Sequence, residues 1–297
     1  MLKKERQIYI LEKVKREGRA ITNDLVEELG VAEDTIRKDF QELSKKGLVR
    51  RIHGGVLRME NNIIDFNERI TMNPTIKQQL AMKATELISG KSVVYIDGGT
   101  TNLKFAESLP KDHTGTIITN SPAIALALCE YKNIKINLIG GKLDPVTRII
   151  KGTSSIKQIE AMNIECCILG VSSLSPENGI TFPSFGEAEL KKELIARSSQ
   201  IIVIANKEKL GSVSTFLAAD ISAIDILVTN ETDERIIKSY SKRGPQVIVY
   251  DVNELCIKKV QSIVRPSTIR LYMKQLVLNL LVNIPNLKRL LKKQTMF

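Results

Sequence analysis

Two groups of side chains in this 297-residue chain combine types that grip phosphate. The first is Thr35, Arg37 and Lys38, followed by Arg50, Arg51 and His53 just before Gly54-Gly55. Arg holds guanine edges or phosphate, and Lys and Thr reach phosphate. The second is the run Asp97-Gly98-Gly99-Thr100-Thr101-Asn102. Its glycines permit close backbone approach, its hydroxyls add donors, and N–H groups at the start of a helix hold anions. Similar polar ends follow other apolar runs: Asn120, Gly140-Gly141-Lys142 and Asn206-Lys207-Glu208-Lys209. A lone G-G-T-T can be only a strand-to-helix turn. Several such ends converging on one rim point to a ligand.

Other chemistries find little support. His53 and His113 are the only histidines, and neither sits in a Cys or acidic cluster, so no metal site is expected. No cofactor is expected. The cysteines Cys129, Cys166, Cys167 and Cys256 lack ligand spacing. Cys166 and Cys167 fall in an apolar run and are expected on opposite faces of a strand, as buried thiols in a reducing compartment. No signal peptide or uncharged apolar run of about 18 residues is evident, so a cytoplasmic protein without membrane contact is expected. The net charge of +11 is unevenly spread. Residues 1–57 carry +3, residues 58–257 carry −1, and residues 258–297 carry +9. The global charge is therefore weak support for DNA binding.

The elements that must hold the first group read as follows. Ile8, Leu11 and Val14 repeat at helical spacing, and Gly18 ends that helix. Thr22 or Asn23 caps a second helix bearing Leu25, Val26 and Leu29, and Gly30 makes a tight turn. A third helix buries Ile36, Phe40 and Leu43, and Gly47 closes it. Two helices joined by a short turn form a helix-turn-helix. On spacing alone, a solvated helical face competes with a DNA-reading one. Leu48–Leu57 then reads as strand, Gly-Gly turn and strand, a wing in which both glycines supply positive φ. For the second group, seven apolar strands are expected: Val93–Ile96, Thr116–Thr119, Ile134–Ile139, Cys166–Val171, Ile201–Ala205, Ile226–Thr229 and Val247–Tyr250. Helical stretches alternate with them, so the fold class is α/β with a mostly parallel sheet. Ligands bind beyond the carboxyl ends of such strands.

The run from Val31 to Val56, with T-I-R-K-D-F at its centre and R-I-H-G-G at its end, resembles the signature of the DeoR family of bacterial transcription regulators. The larger domain is similar to that family's sensor, which resembles ribose-5-phosphate isomerase in fold. The matching pieces are Lys77, D-G-G-T-T at 97–101, T-N at 119–120, I-G-G at 139–141, G-I-T at 179–181, Glu187 and Lys209 to Gly211. The resemblance covers roughly residues 1–252. It implies a repressor of a sugar-metabolism operon released from double-stranded operator DNA by a phosphorylated sugar. One DNA-reading helix covers only a few base pairs, so a homo-oligomer, dimer or tetramer, is expected. The implied effector residues are Asp97, Gly98, Gly99, Thr100, Thr101, Asn102, Asn120, Gly140, Gly141, Glu187 and Lys209. The chain departs from the family at Ala32, where a capping Ser is usual and its loss costs about 1 kcal/mol. It departs again at Asn206 and Asn230, where Asp is usual, and the first of these bears on effector choice.

Two other function classes fit the sequence less well. A sugar-phosphate isomerase needs a base near the reacting carbons, and the fold's isomerases carry an acidic loop where this chain has Gly170-Val171-Ser172-Ser173-Leu174-Ser175. No catalytic residue is expected. A DNA-binding protein with a non-sensing second domain conflicts with the density of polar groups on the rim. The expected organisation is a winged helix-turn-helix over 1–57, a linker over 58–73, an effector-sensing α/β domain over 74–255 and an atypical basic tail over 256–297. Residues 265–297 do not resemble the family. They read either as a basic amphipathic segment or as an extension of no selected function.

Overall fold

The computed structural model describes residues 1–59 and 63–250, except the side chains of Lys15 and Arg16. The tail over 256–297, Cys256 and the Asn61-Asn62 part of the linker lie outside the described residues.

The N-terminal helices span Lys3–Glu17, Thr22–Leu29 and Glu33–Lys45. They enclose a core of Ile10, Val14, Leu25, Ile36, Phe40 and Leu43, closed by Val49 and Val56 of the wing. The first helix differs from the simple apolar reading. Ile8 is exposed, and the inward face carries Ile10 and Val14 beside Arg6, Gln7 and Lys13. Polar groups can occupy that face because they find partners there: Arg6 Nε donates to Asp39, and Gln7 Nε2 donates to Asp39 at 3.1 Å and Glu42 at 3.0 Å. Thr22 does not cap the second helix, nor does Asn23, because the cap position is Ile21. The Thr22 hydroxyl instead donates to the Gly54 carbonyl at 2.9 Å, tying helix to wing.

The wing strands are Val49–Ile52 and Gly55–Met59, joined through His53-Gly54. Only Gly54 has positive φ, +75°. Gly55 is required for another reason: a Cβ there would stand 2.4 Å from the Ala20 carbonyl oxygen, so the strand Arg19–Ile21 could not pair with it.

The larger part is a seven-stranded sheet in which every adjacent pair is parallel. Across it the strands run Gln246–Val249, Ile226–Thr229, Ile201–Ile204, Cys166–Leu169, Val93–Ile96, Gly115–Thr119 and Ile134–Leu138. All seven sequence-expected strands are present, with ends shifted by a residue or two. Central strands are buried on both faces, which is why they read as unbroken β-branched runs rather than alternating ones. Cys167 packs into one hydrophobic layer and Cys166 into the other. Burial pushes the Cys166 thiol up to about 12 and the Cys167 thiol well above its usual value, so neither is a nucleophile at neutral pH.

Three short strand groups carry no signal at the scale of helix or strand periodicity. Lys142–Leu143 pairs with Ile150–Lys151, and Ser173–Ser175, Gly179–Phe182 and Phe216–Ala219 form an antiparallel sheet. Ser212–Val213 pairs in parallel with the end of the second wing strand. The segment read as a linker is partly regular. The wing strand runs to Met59, and Asp65 caps a helix over Phe66–Thr71, accepting from Asn67 N at 2.7 Å. Phe66 is buried in the same layer as the helix Pro74–Thr85.

Candidate functional site

The chain order of the sheet reverses between Val93–Ile96 and Cys166–Leu169, the topological switch at which open α/β sheets bind ligands. A cavity of about 510 Å³ opens beside the residues that follow these two strands. The loop after the first strand contributes Gly98, Gly99, Thr100, Thr101 and Asn102, and the loop after the second contributes Gly170, Val171 and Ser172. The two loops touch. A Cβ on Gly170 would stand 2.6 Å from the Gly98 carbonyl oxygen and 2.8 Å from Asp97 Oδ2. Helix Thr100–Glu107 begins in the cavity wall, and its first-turn N–H groups lack intrahelical acceptors.

Behind the loops lies a closed polar network. Asp97 is fully buried. Its Oδ1 accepts from Asn120 Nδ2 at 3.1 Å, and its Oδ2 accepts from Gly170 N at 2.8 Å and from Lys191 Nζ. Asn120 Oδ1 in turn accepts from Gly98 N at 2.8 Å. Asn102 Nδ2 donates to the carbonyls of Asp97 and Ile168, at 2.8 and 3.0 Å. Glu187 stands one helical turn before Lys191, with 3.9 Å between their charged atoms.

Of the sequence-expected effector residues, Gly98, Gly99, Thr100, Thr101, Asn102, Glu187 and Lys209 line the cavity. Asp97 and Asn120 do not, because they are consumed in bracing its floor. Gly140 and Gly141 do not either. They follow the edge strand and turn toward helix Thr153–Glu160, where Ser155 Oγ and Gln158 Nε2 donate to the Gly140 carbonyl at 2.9 and 3.0 Å.

The structure adds residues that sequence reading missed as cavity residues, notably Arg58, Arg69, Asn73 and Thr147. Arg69 had a legible cue: Asp65 and Glu68 stand three apart, a spacing that starts helices. Its guanidinium donates to the Thr147 carbonyl at 3.3 Å, while its buried Nε and the Thr147 hydroxyl have no partner. Lys77 and Lys209 complete a cluster of cations. Lys77 Nζ donates to the Arg69 carbonyl and Lys209 Nζ to the Val171 carbonyl. Burial, then the neighbouring charge of Arg69, lowers both ammonium groups to about 8. Burial lowers Arg69 as well. Among the described residues the lining acids are Glu187 and Glu208. Glu208 accepts from Asn73 Nδ2 at 2.9 Å and from Asn206 Nδ2. An Asp at 206, the usual family residue, would repel Glu208. Asn230 Oδ1 accepts from Lys207 N at 2.8 Å, a bond an Asp could equally accept.

A second hollow of about 520 Å³ lies between the third helix and the wing, lined among others by Thr22, Asn23, Arg37, Arg51, His53, Gly54 and Gly55. Arg37, Lys38, Arg50, Arg51 and His53 are exposed, and Thr35 is half-buried. The Arg37 guanidinium rests on Glu33 at 2.6 Å, one turn earlier. Exposed pairs of this kind contribute little, so a phosphate or base edge can displace the carboxylate at small cost.

Comparisons with known proteins address both parts. The DeoR-like helix-turn-helix domain matches residues 6–62, and the DeoR C terminal sensor domain matches residues 72–231. The HTH-type transcriptional regulator GlpR of Haloferax volcanii is 32% identical over 78% of this chain and 91% of its own. The HTH-type transcriptional repressor GlcR of Bacillus subtilis is 28% identical over 86% of this chain and 99% of its own. The glycerol-3-phosphate regulon repressor of Escherichia coli is 28% identical over 77% and 92%. Among solved structures, ribose 5-phosphate isomerase A of Neisseria gonorrhoeae aligns over 47% of this chain and 55% of its own, at 17% identity and TM-score 0.35. That likeness is too low to carry an argument.

Proposed function

This chain belongs to the DeoR family of transcription regulators, and from that premise we propose that it is a repressor whose grip on operator DNA is released by a phosphorylated sugar. The observation that carries the effector reading is the charge of the cavity. Among the described residues, Arg58, Arg69, Lys77 and Lys209 line it against Glu187 and Glu208, an excess of two positive charges that a phosphate dianion matches. The start of helix Thr100–Glu107 and the Thr100 and Thr101 hydroxyls supply donors suited to the same group. Glu187, Asn73 and Ser172 offer partners for sugar hydroxyls. Asp97, Asn120, Gly140 and Gly141 shape or neighbour this rim rather than touch the effector.

On the DNA side, Thr35, Arg37 and Lys38 enter the major groove, while Arg50, Arg51, His53 and the Gly54-Gly55 tip approach the backbone. One such helix covers few base pairs, so the protein acts as a homo-oligomer on repeated half-sites. The DNA-binding unit over 1–57 and the sensing unit over 74–255 keep these roles, with helix Phe66–Thr71 as part of the cavity wall.

The test is calorimetric titration with hexose and pentose phosphates beside the unphosphorylated sugars, and gel shift on a duplex selected by the protein from a random pool. The reading requires that a phosphorylated compound bind and lower DNA affinity. Binding of unphosphorylated sugars alone overturns it. Arg37→Ala is expected to weaken selected DNA by about 1–3 kcal/mol more than random DNA. An equal loss on both reassigns Arg37 to phosphate.

A further inference from the structure

Resting on the effector reading above, we propose that the effector site is composite: Arg58, on the wing of the DNA-binding module, is a ligand-contacting residue, and the segment 207–213 relays occupancy to that wing. Arg58 lies on the strand Gly55–Met59, whose other end forms the tip beside Gly54. It also lines the cavity with Arg69, Lys77 and Lys209. One strand therefore has its start at the DNA-facing turn and its end in the ligand cavity.

The same strand end is docked on the sensor. Arg58 and Met59 pair in parallel with Ser212 and Val213. The Arg58 guanidinium donates to the Glu208 carbonyl. Its amide donates to the Gly18 carbonyl at 2.8 Å, and Gly18 is packed so closely on the sensor that a Cβ would stand 2.7 Å from the Leu210 carbonyl oxygen. Tyr240 Oη accepts from Gly211 N at 2.9 Å and donates to the Leu174 carbonyl at 2.8 Å, which fixes the far side of the segment. Between Glu208 and Gly211 sits Lys209, whose ammonium lies in the cavity wall. Two cavity cations thus belong to the two sides of one junction, Arg58 to the wing and Lys209 to the sensor.

An anion that engages both changes the junction itself. It competes with the Glu208 carbonyl for Arg58 and with the Val171 carbonyl for Lys209. The wing strand and its Ser212–Val213 partner then shift together, with no relay through the distant sheet. A ligand moves an equilibrium only by its differential affinity for two states, and here the differential contact is Arg58.

The experiment uses the full chain, with inorganic phosphate, glycerol 3-phosphate and glucose 6-phosphate as probes. Affinities for probe, for DNA, and for DNA in saturating probe are measured for wild type, Arg58→Ala, Arg58→Lys and Gly18→Ala. The expected result is that Arg58→Ala weakens probe binding at least tenfold and brings the ratio of DNA affinities with and without probe to within twofold of one. Arg58→Lys keeps part of both. Gly18→Ala strains the junction without touching the cavity, so it changes that ratio while leaving probe affinity within about threefold of wild type. If Arg58→Ala and Gly18→Ala both retain the wild-type ratio, the composite site is overturned while the effector reading survives. If wild type binds no phosphate-bearing probe, the effector reading falls, and this proposal with it.

Discussion

Asp97 and Lys191 are wholly buried and answer one another, whereas Lys77 and Lys209 face the cavity crowded by Arg69. Both groups stand at the carboxyl ends of the same sheet. In the first, every strong group has a partner: a carboxylate, an ammonium, an amide side chain and two backbone N–H groups close on themselves. In the second, burial and then the neighbouring cations hold the ammonium groups down, and the Arg69 Nε is left without an acceptor. A satisfied buried pair holds shape. A cluster of like charges held in place costs stability until something of opposite charge arrives, and that asymmetry separates the scaffold from the site.

The largest effect follows from breaking the satisfied group. Asp97→Asn keeps the shape and removes the charge, leaving Lys191 with Glu187 as its remaining acid. Unpairing a buried ion pair costs about 3–5 kcal/mol, and chemical denaturation should register a loss of that order. Adding Lys191→Met removes the orphaned charge and should recover part of it. A single variant as stable as wild type would mean that the network is not structural, and the contrast with the cavity cations would collapse.

The opposite behaviour is expected at the cavity. Lys209→Met removes a cation whose ionisation the fold opposes, so the ligand-free protein should be no less stable at pH 7, and phosphate-sugar affinity should fall by about 1.5–3 kcal/mol. The pH dependence has a definite sign. Both lysines are lowered to about 8 from an ordinary 10.5, so the ligand-free fold gains stability as pH rises from about 8 toward 10.5 and is penalised below that window. A bound dianion favours the charged ammonium groups, so binding takes up protons. Affinity should be greatest near pH 7–8 and decline above 8. Calorimetry in buffers of different ionisation enthalpy reads the proton uptake directly, and release of protons on binding would reverse the assignment. Among the described residues, the other charges around these lysines are Arg58, Arg69, Lys191, Glu187 and Glu208.

Sequence reading recovered most of the scaffold because the central strands are buried on both faces and their apolar runs are unambiguous, while the edge strands Ile134–Leu138 and Gln246–Val249 are short, partly exposed runs beside them. The G-G-T-T loop was legible because glycine and hydroxyl types cluster after a strand. Lys191 was not. It stands in L-K-K-E, a run that reads as a solvated helix face, and its partner Asp97 is 94 residues away. Arg58 and the pairing of Ser212–Val213 with the wing were missed for a related reason, although Lys209 to Gly211 was singled out. Two-residue strands such as Ser212–Val213 have no period to detect, and only tertiary pairing shows that wing and sensor share an edge. Gly140 and Gly141 show the converse. Their residue types fit a ligand loop, but an edge strand carried them to the Thr153–Glu160 helix instead.

The smallest effect concerns the third helix, Glu33–Lys45, which contains both conditions in one element. Its inner face is held by Ile36, Phe40 and Leu43 and by Asp39 paired with Arg6. Its N-terminus is open, since Ala32 occupies the cap position and offers no side-chain acceptor. A serine there would accept from the N–H of Asp34 or Thr35, which should add about 1 kcal/mol. Packing already fixes where the helix lies, so the gain should be local: slower hydrogen exchange at those two amides, by about fivefold, with little change at Phe40 or Leu43. DNA affinity should rise modestly, because an ordered first turn presents Thr35 and Arg37 without a cost of fixing them. If Ala32→Ser leaves exchange at the first turn unchanged while Ala32→Asp slows it, hydrogen bonding is not the missing element. The negative charge at the helix N-terminus would then be what stabilises it, and the aspartate should weaken DNA binding through repulsion of phosphate.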